Sequence, residues 1–428
     1  MKKLLIISPY FPPCNAADMQ RIRMSLPYFE KFGWEAEVVT CETKPHDIDT
    51  DELLLESVPP STKLHYVKAF NKKITSKLGL GSIALRSLWF YKKKVNQLLK
   101  EKQFDLIYFS TTQFPVCILG AYWKRKFGTP YVIDIQDPWH SEYYRDKPKY
   151  QRPKKYWFSY HLNKYLEPIA MKSVDGLIAV SEQYIIDLKN RYQLSIPSAT
   201  ITFGAFEKDM EIAKKNQLKY PSVVQKNNEI QVGYIGRGGY DMQEAINILF
   251  KAFKFGQQSQ ASYFENFHFN FLGTSYAPKG EGEKTIAPLA ESVGLEAFVT
   301  EQTDRIPFYQ TINTLAAMDM LFICGSNDNK YTASKIYPYL LLEKPLLAIF
   351  HEKSSVVDIL SKCSNATVIT FQEHTSIQIE KIISFFYLYN KTSYKLNKET
   401  FFYYTAEEMT RRQTDLFQNI APTHKNPC

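Results

Sequence analysis

The 428-residue chain has no stretch of eighteen uninterrupted apolar residues, the length a helix needs to cross a bilayer. Its opening, MKKLLIISPYFPP, breaks its apolar run at Ser8, too early for the core of a signal peptide, so a cytoplasmic chain is expected. Cysteine is sparse: Cys14, Cys41, Cys117, Cys324, Cys363 and Cys428 form no C-x-x-C pair. That argues against a zinc site or a disulfide framework and for reduced core or surface thiols. Repeats of solenoid length and low-complexity tracts are missing. With 17 glycines and 22 prolines, a collagen-like or mainly disordered chain is excluded as well. Acidic residues are nearly missing between 61 and 103, where eleven Lys/Arg face only Glu101. The net charge of +9 is uneven: residues 1–220 hold 34 Lys+Arg against 23 Asp+Glu, the rest 19 against 21. No recognisable nucleic-acid-binding module accompanies this basic excess, so no nucleic-acid partner is expected.

What is present is enough for a large core: 44% hydrophobic and 15% aromatic residues, with room for two domains of Rossmann size. KLLIISP, EAEVVTCET, FDLIYFSTT, PYVIDIQD and VDGLIAVSE are strands of the continuous apolar kind found in a parallel sheet covered on both faces. Helix-like segments lie between them, the first being MQRIRMSLPYFEKFG, with Ile22, Leu26 and Phe29 on one face and Gly33 as a stop. After SATITFGAF, the polar segment FEKDMEIAKKNQLKYPSVVQKNNE is expected to be a linker. The alternation restarts with IQVGYIGRGG, FHFNFLGT, EAFVTEQ, MDMLFICGS, PLLAIF and ATVIT. The expected architecture is α/β: a Rossmann-like domain over 1–205, a second over 229–400, and a last helix within 401–428 packing back on the first. Two such domains facing each other leave an interdomain cleft at the carboxyl ends of their strands, where open α/β sheets bind ligands.

Four strand-end motifs carry candidate chemistry. SPYFPPCNAADMQR, residues 8–21, is a stiff loop whose prolines force an extended turn before Arg21 and Arg23. In GYIGRGGYD, Gly236, Gly238 and Gly239 admit close backbone approach and Arg237 can fork two hydrogen bonds to phosphate. The order is not that of the dinucleotide fingerprint. In YTASKIYPYLLLEKPLLAIF, Ser334 or Thr332 can cap a short helix whose first turn holds Lys335 and Pro338. An ammonium at a helix start is electrostatically unfavourable unless an anion sits opposite, and phosphate would satisfy it. In VIDIQDPWH, Asp134 and Asp137 with Trp139 offer either an Asx-Pro turn or a carboxylate beside an aromatic face suited to a sugar ring.

Taken in order, PYFPP with Arg21, VIDIQDPW, VDGLIAVSE, GYIGRGG and above all SKIYPYLLLEKPLLA resemble the motif succession of bacterial family 4 glycosyltransferases of the GT-B fold. The resemblance implies a nucleotide-diphosphate-sugar donor, UDP- or GDP-linked, bound mainly by the C-terminal domain, and sugar transfer with retention of configuration. Gly236, Arg237, Gly238, Ser334, Lys335 and Ile336 then correspond to the donor diphosphate site, and the stretch around Val299 to Arg305, with Thr300, to the surroundings of the base. The acceptor, a glycan or lipid-linked saccharide of cell-surface polysaccharide synthesis, falls to the N-terminal domain, with Pro13, Asn15, Arg21, Asp134 and Trp139 as candidate contacts and Asp137 as a candidate catalytic group beside Arg237 and Lys335. The chain departs from the family in two places: Cys14-Asn15-Ala16-Ala17 stands where a glycine-rich loop is common, and Lys330 and Pro338 stand where two glutamates are.

No metal is expected, because two cations and a helix start can neutralise the leaving diphosphate. The D-x-D spacing between Asp47 and Asp51 reads as a solvated connection. In IALRSLWFYKKKVNQLLK a helix would place Ala84, Leu88, Tyr91, Val95 and Leu98 on one face, leaving Trp89, Phe90 and Lys92 to Lys94 on the others. Together with YYRDKPKYQRPKKYWFSYH, these residues suit peripheral docking on an anionic membrane, the inner face of the cytoplasmic membrane. Two other readings stay open: a nucleotide-sugar epimerase with the same two-domain plan, and a catalytically silent binding partner.

Overall fold

Continuous apolar runs become strands here because both of their faces are covered. The structure is a computed structural model describing residues 1–42, 48–142, 144–149, 152, 156–225, 228–328 and 334–421. Lys330, Thr332, Asp47 and part of the 143–161 basic-aromatic stretch therefore lie outside the described residues. The chain divides into two compact units, Met1–Gly204 with Ala406–Cys428, and Ala205–Thr405.

The first unit is built on seven strands: β1 Lys2–Ile7, β2 Trp34–Cys41, β3 Lys63–Val67, β4 Leu106–Ser110, β5 Tyr131–Ile135, β6 Gly176–Ala179 and β7 Ser198–Thr200. All pair in parallel in the order β3-β2-β1-β4-β5-β6-β7. The order reverses between β1 and β4, so the loops after β1, β4 and β5 gather at the carboxyl edge where such sheets bind ligands. The edge strand β3 was not foreseen. Its short, half-exposed KLHYV lacks the continuous apolar run of a central strand.

The expected first helix spans only Gln20–Ser25. Pro27 has no N–H to continue the ladder, and the remainder forms turns ending at Gly33, whose φ of 82° suits glycine. The helix Ile83–Glu101, capped by Ser82 accepting from Leu85 N, buries Ala84, Tyr91, Val95 and Leu98. The last helix, Ala406–Ile420, lies on this unit. Phe417 packs edge-on to Trp34 at 5.7 Å, and Gln413 Nε2 donates to Ser25 Oγ at 3.0 Å.

In the second unit, β8 Ile230–Ile235, β9 Phe267–Leu272, β10 Val299–Gln302, β11 Met320–Cys324, β12 Leu346–Phe350 and β13 Thr367–Thr370 form a parallel sheet in the order β10-β9-β8-β11-β12-β13. Its reversal at β8 and β11 brings the loop after β8 beside the segment after β11. The segment expected to be a linker begins instead with a helix, Glu207–Lys215, which buries Ile212 and Ala213. Asn313 Nδ2 donates to the carbonyls of Ala213 at 3.0 Å and Tyr220 at 2.8 Å, fixing the helix to the unit.

Candidate functional site

The β8 loop and Lys335 meet within the second unit. Gly236 has φ +151°, a backbone conformation that favours glycine, and a Cβ built there would lie 2.6 Å from Lys335 Nζ and push the ammonium aside. A Cβ on Gly238 would lie 2.8 Å from Ile286 Cδ1, and its N–H donates to Thr274 O at 2.9 Å. Arg237 does fork, onto a carboxylate of its own loop: Nη1 to Asp241 Oδ1 at 2.5 Å and Nη2 to Oδ2 at 2.7 Å. Burial alone would raise the Asp241 carboxyl, but bonds from Arg237 and Ser326 and the guanidinium charge hold it below its usual range.

Lys335 Nζ donates to the Tyr234 hydroxyl and lies 4.4 Å from the centre of that ring. Burial lowers the ammonium to about 8, with Cys324, Arg237 and Asp241 as its charged or ionisable neighbours. Tyr234, 1% exposed, in turn donates from its hydroxyl to Arg237 O at 2.6 Å. Of the donor-site candidates, Gly236, Arg237, Gly238 and Lys335 are thus brought together.

Three others need correction. The short helix is Ile336–Leu341 with Lys335 itself at the N-cap and no side-chain cap, while Ser334 is exposed, so the expected serine cap does not form. Ile336 is buried at 1% and serves the core. Thr300 sits within β10, its hydroxyl 2.8 Å from His268 Nε2, before the strand's carboxyl end.

In the first unit, Arg21 and Asp134 are both fully buried, with Arg21 Nε 2.7 Å from Asp134 Oδ2 as an ion pair off the best hydrogen-bond line. Arg21 also donates to Ile201 O at 2.8 Å and Thr202 O at 3.1 Å. Asp134 accepts from Ser110 at 2.9 Å and Gln136 at 2.8 Å. Expected as acceptor contacts, the two neutralise each other inside the protein. The reason is physical: a buried guanidinium needs a counter-charge, and the strand-end aspartate supplies it. Trp139 is also core, 5% exposed and stacked on Phe114 at 5.3 Å, with Nε1 donating to Asn163 Oδ1 at 3.3 Å. It presents no open face to a sugar.

Pro13 and Asn15 are partly exposed and pair by backbone with the connection after β2: Asn15 N to Asp49 O at 2.8 Å and Asp51 N to Pro13 O at 2.7 Å. The Pro12–Pro13 bond is cis. Asp51, expected to be solvated, is 4% exposed and accepts from Leu53 N as a cap. Among the described residues, no group of three or more His, Cys, Asp or Glu could hold a metal ion.

Asp137 is exposed, on the turn between β5 and His140, whose N–H is fixed by Glu167 Oε2 at 2.8 Å. Surrounding protein first and the Asp18 carboxylate second push its carboxyl up, though access to water limits the effect. Asp18 is 3% exposed, accepts from Thr111 Oγ1 at 2.8 Å and Thr112 N at 3.0 Å, and is itself raised by burial.

Sequence reasoning missed Tyr234, Asp241 and Asp18. Asp241 was readable as an opposite charge four residues from Arg237, and Tyr234 as a strand tyrosine whose hydroxyl needs a partner when buried.

The basic-aromatic face is also a feature of the first unit. Trp89 is 56% and Trp157 72% exposed, with Ile74 and Tyr165 likewise open. A Cβ on Gly79 would lie 2.9 Å from the Phe158 ring, so the 72–80 segment and the helix Tyr156–Met171 touch. Lys72, Lys73, Lys77, Lys92 and Lys93 are exposed along the first of these stretches and the adjoining helix. Among the described residues, no helix is long and apolar enough to cross a membrane.

Two parallel Rossmann-like units of seven and six strands define the GT-B fold. Residues 26–202 match the sequence profile of Glycosyltransferase Family 4. Among solved structures, HepE of Anabaena in complex with UDP-glucose is similar at 16% identity and TM-score 0.58, covering 98% of this chain and 100% of that one. A mutant TarM of S. aureus in complex with fondaparinux, alpha-GlcNAc-glycerol and UDP is similar at 12% and 0.56, covering 97% and 100%. Sucrose-phosphate synthase of Thermosynechococcus elongatus is similar at 14% and 0.60, covering 98% and 99%. No curated sequence matches the chain.

Proposed function

We propose that this chain is a glycosyltransferase that moves a sugar from a UDP- or GDP-linked donor, with retention and without a metal, to a glycan or lipid-linked saccharide in cell-surface polysaccharide synthesis. The observation that carries the reading is the convergence of the Arg237 loop and Lys335 at the carboxyl end of β8, where the Tyr234 hydroxyl joins the Lys335 ammonium to the Arg237 carbonyl. Two cations within reach of each other's field suit a diphosphate, and they act most strongly as negative charge develops on the departing phosphate. The match over 26–202, in the first unit, and the likeness to the UDP-glucose complex of HepE support the glycosyltransferase reading.

In this reaction the bond from the anomeric carbon to the distal phosphate oxygen breaks. The acceptor oxygen bonds to the same face of that carbon, and its proton passes to the departing phosphate. Asp137, exposed at a strand end with its carboxyl raised, is assigned to position the acceptor or to offset charge near the reacting carbon.

The exposed lysines and tryptophans of the first unit support peripheral docking on an anionic lipid surface, which would bring a lipid-linked acceptor within reach. Liposome flotation without preference for anionic lipid would remove that part. The function itself is tested by incubating the protein with UDP- and GDP-sugars, with and without saccharide acceptors. Acceptor-dependent release of nucleoside diphosphate is expected; isomerised donor without acceptor would mean an epimerase, and binding without turnover a silent partner.

A further inference from the structure

A lysine ammonium has three protons to donate, and among the described residues that of Lys335 makes one hydrogen bond, to Tyr234, and no ion pair. The same hydroxyl donates to Arg237 O at 2.6 Å. One oxygen therefore ties the Lys335 side chain to the backbone of the residue that carries the second cation. Gly236 keeps the space open, since a Cβ there would lie 2.6 Å from Nζ. The Tyr234 ring is fixed by its surroundings, 5.9 Å from Phe271 and 6.1 Å from Phe322 between centroids, so the hydroxyl is a rigid acceptor.

Building on the assignment of Arg237 and Lys335 to the donor diphosphate, we propose that Tyr234 is the positioning residue of that site. Its hydroxyl holds the Lys335 ammonium in place and charged, and fixes the Arg237 loop to it. Two of the ammonium's donors are thereby left for phosphate oxygens. Tyr234 does not itself touch the ligand.

The electrostatic setting makes this role measurable. The groups facing Nζ are Tyr234 of β8, Arg237 and Asp241 of the following loop, and Cys324 at the end of β11. The Cys324 thiol is pushed up by burial and the Asp241 carboxyl is held down, so neither titrates in the window where the Lys335 ammonium does, near 8. Removing the hydroxyl takes away the acceptor that favours the charged amine, and the ammonium then loses its proton at lower pH. Tyr234→Phe keeps the ring, its packing and its cation–π contact.

The test is calorimetric titration of UDP and GDP into the wild type, Tyr234→Phe, Lys335→Met and the double variant between about pH 7 and 8.5, above the range where the nucleotide's own phosphate titrates and below that of its base. Thermal melts establish that each variant is folded. We expect the wild type to bind one of the two nucleotides, with affinity falling as pH rises through the Lys335 range. Tyr234→Phe should bind about tenfold or more weakly near neutral pH, in line with losing a hydrogen bond to a charged group, with its falling limb moved to lower pH. Lys335→Met should be weak and flat with pH, and adding Tyr234→Phe to it should cost little more. A Tyr234→Phe variant with wild-type affinity and pH limb overturns the positioning role and leaves the diphosphate site standing. So does a full additional loss in the double variant, which marks a packing effect. A folded wild type that binds neither nucleotide overturns the functional reading, and the positioning role with it.

Discussion

Replacing Asp134 by Asn removes one charge from a pair with no access to water. Arg21 and Asp134 are each 0% exposed and 2.7 Å apart. After the substitution the guanidinium keeps the Ile201 and Thr202 carbonyls but no counter-charge. Ser110 and Gln136 both donate to Oδ2, so the new amide can turn its carbonyl oxygen to them and keep those bonds, and the loss is that of the charge. Breaking a buried pair on one side costs about 3 to 5 kcal/mol. For a unit of this size that lowers the melting temperature by about 6 to 20 °C. Thermal unfolding followed by circular dichroism, together with amide exchange of β4 and β5, reads the loss where it arises. The pair Arg21→Met with Asp134→Leu, which removes both charges, should recover part of it. If Asp134→Asn melts within about 1 °C of the wild type while acceptor-dependent turnover disappears, the reasoning is wrong and the pair serves a ligand.

Trp139→Ala should cost about 3 to 5 kcal/mol in denaturant unfolding, because it empties a filled site beside Phe114; a change in acceptor preference at unchanged stability would contradict its place in the core. Gly236→Ala should weaken nucleotide binding in titrations, since its φ disfavours a side chain and a Cβ would push the Lys335 ammonium aside; wild-type affinity would contradict that placement. Asp137→Asn should lower turnover at unchanged donor affinity, and wild-type turnover would remove Asp137 from the mechanism. For stability against acid, Glu37 has a lowered pKa: burial would raise it, but bonds from Lys102 at 2.8 Å and His65 at 2.7 Å outweigh that. Its contribution is therefore present above the ordinary glutamate range and lost as pH falls through the folded value, and Glu37→Gln should flatten acid unfolding in that window.

The sheets were legible because eleven of the thirteen strands are apolar runs or carry strand-end signals that periodicity detects. The edge strands β3 and β7 and the helix Glu207–Lys215 were not. Each is half-polar in sequence and gains its place by packing against a neighbour the sequence does not reveal. The same limit governed the sites. Gly236, Arg237 and Lys335 stood out because loop glycines and an isolated lysine at a helix start carry local meaning, and the structure brings them together. Arg21, Asp134 and Trp139 carry the same residue-type signal whether they face water or each other, and only the three-dimensional structure separates an ion pair from a binding site. Asp51 was misjudged for the same reason, its polar neighbourhood concealing a buried cap.

The central claim is that a nucleoside diphosphate is held by the guanidinium of Arg237 and the ammonium of Lys335. Its most direct measurement is a crystal structure of the chain grown with UDP and with GDP. The account predicts diphosphate oxygens within about 3 Å of both cations, with Arg237 shared between the ligand and Asp241. A nucleotide seated elsewhere, or one whose phosphates meet neither side chain, would contradict it.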